Sequence, residues 1–292
     1  MSDWPLSDWP LSDWSAWIGR EQCREDRIAP AAYARWLATL DSGAPANGDV
    51  AQGYHWCLAL PDTPTAALGD DGHPLRDASP DSFLPPVPQP RRMWASSKVE
   101  FLHPLRTGAA IERRSKVVSV TAKTGASGPL VFVDVAHETR ANGVLAVREV
   151  QSLVYRDAPP AKSPPAPPAR GPDAFDPAGW EAHRALAPGE PLLFRYSALT
   201  FNSHRIHYDA AYATGVEGYR GLVVQGPLTA TFLLDLARRH VGDNALKTFA
   251  FRGVSPAIAG EMLHLVLRSK DAAYELGAFA SDGREVMRAS GT

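Results

Sequence analysis

Alternating apolar and polar positions mark two groups of strands along the chain. Ser97 to Phe101, Ala110 to Thr121, Leu130 to Thr139 and Leu145 to Tyr155 form the first group. Pro104–Gly108, a turn at Gly125–Gly128 and the dipeptide Asn142-Gly143 separate them. Asn-Gly is a strong hairpin signal, because a type I′ turn needs positive φ at both central residues. Lys247 to Gly253, Glu261 to Arg268, Ala272 to Phe279 and Glu285 to Ala289 form the second group. Helical spacing precedes each group. Ala31, Ala34, Leu37 and Ala38, with Tyr33 and Trp36, predict a helix that starts at Pro30. Leu228, Phe232, Leu233, Leu236 and Ala237 predict a buried helix after Gly226-Pro227. A helix followed by four antiparallel strands thus occurs twice, and the expected fold is α+β, with two curved sheets each wrapped around a helix.

The segments between these patterns divide the chain. Residues 157–173, DAPPAKSPPAPPARGPD, hold seven prolines and predict a semi-rigid linker between an N-terminal half, 15–156, and a C-terminal half, 174–292. At roughly 3 Å per residue such a linker spans about 50 Å. Asp176-Pro177 predicts the cap and first turn of a short helix ended by Gly189. Tyr54 to Leu60 is a short apolar element. Residues 61–92, rich in Pro, Gly and Asp, show no sustained period and predict a long loop lying across another part of the molecule. The first 14 residues repeat SDWPL, SDWPL and SDW, a five-residue period that fits neither helix nor strand. They read as a loosely docked tail, or as a tryptophan-bearing contact with a neighbouring subunit.

Composition narrows the function classes. The 292 residues are 45% hydrophobic and 21% charged with a formal net charge of −2, which does not point to nucleic acid or a membrane surface. No apolar run reaches the roughly 18 residues of a membrane helix, and the N-terminus lacks signal-peptide character. Cys23 and Cys57 are too few for a disulfide framework and have no zinc-site spacing, so a reducing cytoplasm is expected.

Most candidate chemistry falls between Phe194 and Leu236. Phe194, Tyr196 and Ala198 alternate with Arg195, Ser197 and Leu199, which predicts a strand. Asn202, Ser203, His204, Arg205 and His207 then make a polar corner, and Asp209 is placed to cap a helix over Ala210–Ala213. A histidine titrates near neutrality, as a group that takes a proton from water and returns it must. His207, with His204 beside it, is the candidate for that work. Asn202 cannot exchange a proton near neutral pH, so it either turns the chain or holds water through its amide. Gly226 opens a buried helix, where a backbone N–H can stabilise an oxyanion, whereas Pro227 has none to offer. Arg195, Arg205 and Arg252 are candidate partners for phosphates or a substrate carboxylate.

The stretches FNSHRIHYD, EGYRGLVVQGPL and KTGASGPLVFV resemble the MaoC-like, or R-specific, enoyl-CoA hydratases, and more narrowly the branch acting on itaconyl-CoA and mesaconyl-C4-CoA. The resemblance covers residues 15 to 290. It implies a double hot-dog fold, a catalytic set of His207, Asn202, Gly226 and His204, and a substrate set of Tyr196, Arg205, Arg195, Gln225 and Arg252. It also implies an acyl-CoA substrate, no cofactor or metal, and a homodimer. Two positions depart from the family pattern: Asn202 stands where the family has Asp, and Gln225 where it has His before the helix glycine. A hot-dog thioesterase and a non-catalytic acyl-CoA-binding module are the competing readings. A metal enzyme built on His204, His207 and Asp209 is a third.

Overall fold

A computed structural model describes residues 14–125, 128–160 and 163–292; the SDWPL repeat ahead of Trp14 lies outside them. Ten strands form one sheet in the order β1-β3-β4-β5-β2-β7-β10-β9-β8-β6. The first five in chain order are β1 (Glu21–Arg27), β2 (Arg91–Phe101), β3 (Ala110–Gly125), β4 (Gly128–Ala141) and β5 (Val144–Arg156). The second five are β6 (Ala182–Leu186), β7 (Thr248–Gly253), β8 (Leu263–Lys270), β9 (Ala273–Ala280) and β10 (Glu285–Gly291). The halves join where β2 pairs antiparallel with β7, Ser96 opposite Arg252 through Glu100 opposite Thr248. All pairings between strands are antiparallel.

Among the described residues, four α-helices accompany the sheet: α1 (Pro30–Thr39), α2 (Glu190–Leu199), α3 (Ala210–Gly215) and α4 (Gly226–Val241). α4 is the core of the second half. Every residue from Leu228 to Ala237 is buried, and the helix packs on β6, β8, β9 and β10. α1 buries Tyr33 and Trp36 against Tyr54, with ring centroids 5.1 and 5.5 Å away, and packs on α2. The apolar element that follows is a 3-10 turn, Tyr54–Cys57, buried throughout.

Three elements depart from the sequence expectation. Phe194 to Thr200 is not a strand, because it lies mostly in α2: Leu193, Tyr196 and Ser197 are buried at helical spacing while Phe194 is 67% exposed. Gly189 caps the start of α2, with Glu190 and Pro191 in its first turn, instead of ending a helix. The helix expected from Asp176 is a tight turn in which the Asp176 carboxylate accepts the Ala178 N–H (2.8 Å), and β6 follows. β1 and β6 are the two sheet edges. Neither has a buried residue, and the partly buried face of each holds too few apolar side chains to show the alternation by which the inner strands were recognised. β2 starts at Arg91, six residues before Ser97, which makes Arg91 and Arg92 strand residues instead of the end of the loop.

Candidate active site

The polar corner is shaped by its own backbone. α2 ends where the Thr200 hydroxyl donates back to the Tyr196 carbonyl (2.8 Å), Phe201 takes φ of 47°, and the Asn202 N–H returns to the Ser197 carbonyl (2.8 Å). The Asn202 side-chain oxygen accepts the His204 N–H (3.0 Å), an Asx turn that leads into a 3-10 turn over Arg205–His207. Asp209 then caps α3, accepting the Tyr212 N–H (3.0 Å).

His207 is buried, and its Nδ1 lies 2.7 Å from the Val223 carbonyl. A carbonyl can only accept, so Nδ1 carries the proton and Nε2 keeps a lone pair, free of hydrogen bonds among the described residues. Val223 in turn donates its N–H to the Ile206 carbonyl (2.9 Å). The ring is thereby held three residues ahead of Gly226, the start of α4. Burial, only partly offset by the Val223 bond, lowers the His207 pKa to about 4, so the ring is neutral at pH 7.

Gly226 sits in the first turn of α4, where its N–H has no acceptor within the helix. A Cβ built on Gly226 would meet no atom within 4 Å, and its φ is not positive. Neither internal packing nor backbone conformation therefore demands glycine there.

The loop 61–92 from the first half closes the other side. The Arg205 N–H donates to the Asp71 carbonyl (2.9 Å), and the Ser203 hydroxyl donates to the Gly72 carbonyl (2.6 Å). Gly72 has φ of +84°, and a Cβ there would lie 1.9 Å from the Ser203 carbonyl oxygen, so this close approach requires glycine. The docked loop sets the His73 ring 4.1 Å from that of His204, which meets His207 edge-on at 5.5 Å. His73 Nδ1 lies 2.9 Å from Asp71 Oδ2. Burial raises the Asp71 carboxyl, but the hydrogen bonds it makes with His73 outweigh it and bring it to about 2. Burial also lowers the pKa of His73, and burial with neighbouring His73 and His207 lowers that of His204 to about 2. An ionised carboxylate thus stands behind three neutral imidazoles.

A sequence profile for hydroxyacyl-thioester dehydratase type 2 matches residues 53–259. The mesaconyl-C(4)-CoA hydratase of Chloroflexus aurantiacus is 41% identical over 280 residues, covering 94% of this chain and 96% of that protein. The chain belongs to the hydroxyacyl-thioester dehydratase type 2 family. A mitochondrial member from Schizosaccharomyces pombe is 42% identical over 83 residues, 27% of each chain. Among solved structures, a MaoC-like dehydratase from Phytophthora capsici superposes with a TM-score of 0.69 at 14% identity, covering 94% of this chain and 95% of that one. A Mycobacterium tuberculosis protein described as a double hotdog fold gives 0.56 at 15% identity, over 94% and 95%. The fold is a double hot-dog.

Within this family member, the site residues expected from sequence fall into two sets. His207, His204 and Asn202 share the corner, and Gly226 opens α4 three residues after Val223, to which His207 bonds. The others do not form a substrate wall. Tyr196 is fully buried, with its hydroxyl 3.4 Å from Thr231 Oγ1. Gln225 is buried and donates to the Leu193 carbonyl and Ser197 Oγ, 3.0 Å each, tying α4 to α2. Arg195 is exposed on α2, a placement that follows from helix replacing strand. Arg205 is committed to Asp209 (2.7 Å) and the Asp70 carbonyl (2.9 Å), with its guanidinium over the Tyr212 ring. Arg252 alternates with buried Phe251 on β7 and points away from the core. Asp209 serves as cap and ion-pair partner, so the His204, His207, Asp209 metal set is not assembled. Asp71, His73 and His204 do present one ligand atom each within 4.8 Å of one another, but Asp71 and His73 already bond each other.

Sequence reasoning missed Asp71 and His73. The available signal was Asp-Gly-His in a loop expected to lie across something, 130 residues from the corner it completes.

Proposed function

We propose that the protein reversibly adds water to a branched dicarboxylic enoyl-CoA of the mesaconyl-C4-CoA type, giving a citramalyl-CoA type product. The observation that carries this reading is the 41% identity over nearly the whole of both chains to the mesaconyl-C(4)-CoA hydratase. The geometry supplies a means. His207 Nε2 takes a proton from water as the hydroxyl oxygen bonds to the β-carbon. The π electrons pass to the thioester oxygen as an enolate, which the Gly226 N–H stabilises. The proton then goes to the α-carbon as the carbonyl re-forms, so the addition balances without a net proton. Asp71 and His73 bring to the corner the carboxylate that position 202 lacks, with Asp71 orienting the His73 ring. The space in front of Gly226 suits a thioester that approaches the backbone closely.

This chemistry uses no cofactor beyond the CoA ester. Chelator treatment should leave turnover unchanged, whereas a loss reversed by iron or zinc would mean that Asp71, His73 and His204 hold an ion. No helix among the described residues is long and apolar enough to cross a membrane. Free Cys23 and Cys57 fit a cytoplasmic setting, and exposed Phe194 and Phe201 offer apolar surface for a homodimer. The deciding experiment follows a panel of enoyl- and hydroxyacyl-CoA esters by mass. A gain or loss of water is expected; release of free CoA would make the protein a thioesterase.

A further inference from the structure

A dicarboxylic substrate brings a second anion into the site, and none of the arginines first considered is free to meet it. Arg205 is held by Asp209, Arg195 is exposed on α2, and Arg252 faces away from the core. A cleft of about 360 Å³ adjoins the histidine cluster between the docked loop, the start of β2 and α3. Its lining does not reach His207 or Gly226. His73 is the shared wall, since it lines the cleft and packs on His204.

Three arginines line this cleft, and two are committed. Arg76 donates to the carbonyls of Val87, Gln89 and Pro90. Arg91 pairs with Glu217, Nε to Oε2 at 2.8 Å. Arg92 is half-buried and has neither an ion-pair partner nor a hydrogen-bonded acceptor for its guanidinium among the described residues. Its positive charge is near enough to His73 and His204 to oppose protonation of both. A half-buried guanidinium beside neutral rings is a site prepared for an anion.

We infer that Arg92 binds the free carboxylate of the substrate and selects dicarboxylic over monocarboxylic enoyl-CoA esters. This rests on the substrate class proposed above. In a C4-linked mesaconyl ester the free carboxylate is bonded to the β-carbon, the atom that water attacks. The anion must therefore sit beside the histidine cluster, as Arg92 does. The CoA phosphates share the same anionic chemistry but lie at the far end of the pantetheine arm.

The test compares wild type, Arg92→Ala and Arg92→Lys on mesaconyl-C4-CoA and crotonyl-CoA, with thermal melts to establish that each variant folds. Crotonyl-CoA carries every CoA phosphate but no free carboxylate. Arg92→Ala should lose roughly 10²- to 10³-fold in kcat/KM on the dicarboxylic ester while staying within about threefold on crotonyl-CoA. Arg92→Lys should recover roughly tenfold of the loss, because it restores charge without the planar fork. Calorimetric binding of methylsuccinyl-C4-CoA against butyryl-CoA reads the same preference without turnover. Parallel losses on both esters would place a CoA phosphate at Arg92 and overturn the inference, as would no loss on either. Those outcomes leave the substrate class standing. Wild-type protein that hydrates crotonyl-CoA but neither turns over nor binds the dicarboxylic esters would overturn the substrate class and this inference together.

Discussion

Two carboxylates of the first half stand among histidines, Glu149 buried in the sheet and Asp71 partly buried on the docked loop, and the two groups are built to opposite ends. In the first half, Glu149 accepts from Ser97 Oγ (2.5 Å) and Trp56 Nε1 (3.2 Å), with His55 Nε2 at 3.7 Å. Burial pushes its carboxyl up, but His55, His137 and Ser97 bring it down to about 2. Its acceptors are spent on neighbours that cannot leave, beside the β2–β7 seam. Where the docked loop meets the second half, Asp71 bonds His73, and His207 keeps Nε2 unspent. A buried network whose carboxylate is fully engaged rigidifies a fold; a cluster with an unspent lone pair can act on a substrate. The first arrangement suits structure, and the second is the one on which the proposed chemistry rests.

The largest effect should come from His207→Ala, expected to cut kcat by roughly 10²- to 10⁴-fold with little change in melting temperature. Near-normal turnover would remove His207 from the mechanism. Glu149→Ala should do the reverse, destabilising by about 3–5 kcal/mol because His55 and Trp56 lose a buried partner, while specific activity of the folded protein holds. Denaturant melts alongside initial rates separate the two, and a Glu149 variant that melts normally but is inactive would erase the contrast. His73→Ala is expected to cost roughly tenfold in kcat with the fold retained. A variant equal to wild type would leave the docked loop only a structural part.

Gly226→Ala should split stability from activity. A methyl group there meets no protein atom, so stability should change by no more than about 1 kcal/mol. If substrate approaches that backbone closely, turnover should still fall roughly tenfold. Unchanged turnover would mean that the space is not used. The smallest effect concerns pH. With His207 as the proposed neutral base, kcat/KM should fall as pH drops through about 4, not near the ordinary histidine value of 6.5. The folded pKa lies below the unfolded one, so between those values the unfolded chain binds a proton that the native ring refuses. Stability therefore declines as pH falls across that window, and His207→Ala should flatten part of the decline. An acid limb near 6.5 would mean that the ring is solvated in the working enzyme.

Much of the fold was legible because it is written locally. The inner strands alternate, Asn142-Gly143 turns a hairpin, Asp209 caps a helix, and α4 carries an apolar run too long to be anything but buried. The misreadings have local causes too. Phe194 to Thr200 is short enough that six alternating residues imitate a strand, and the Gly189-Glu190-Pro191 start of α2 was taken as an ending. The edge strands Glu21–Arg27 and Ala182–Leu186 have no fully buried residue and few apolar side chains, and pairing with β3 and β8 makes them strands.

The candidate site divides along the same line. His207, His204, Asn202 and Gly226 lie within 25 residues, on a corner and helix start that short-range signals describe, so the sequence alone brought them forward. The tertiary structure decided which other groups join them. It spent Arg205 on Asp209, turned Arg195 and Arg252 away, and carried Asp71 and His73 to the corner from more than a hundred residues upstream, with Arg92 in the cleft that His73 also lines. That placement depends on Gly72 fitting against Ser203 and on β2 pairing with β7, contacts between surfaces that exist only once both halves have folded. Local patterns record what a segment can become; the partner that gives a side chain its task is fixed by packing.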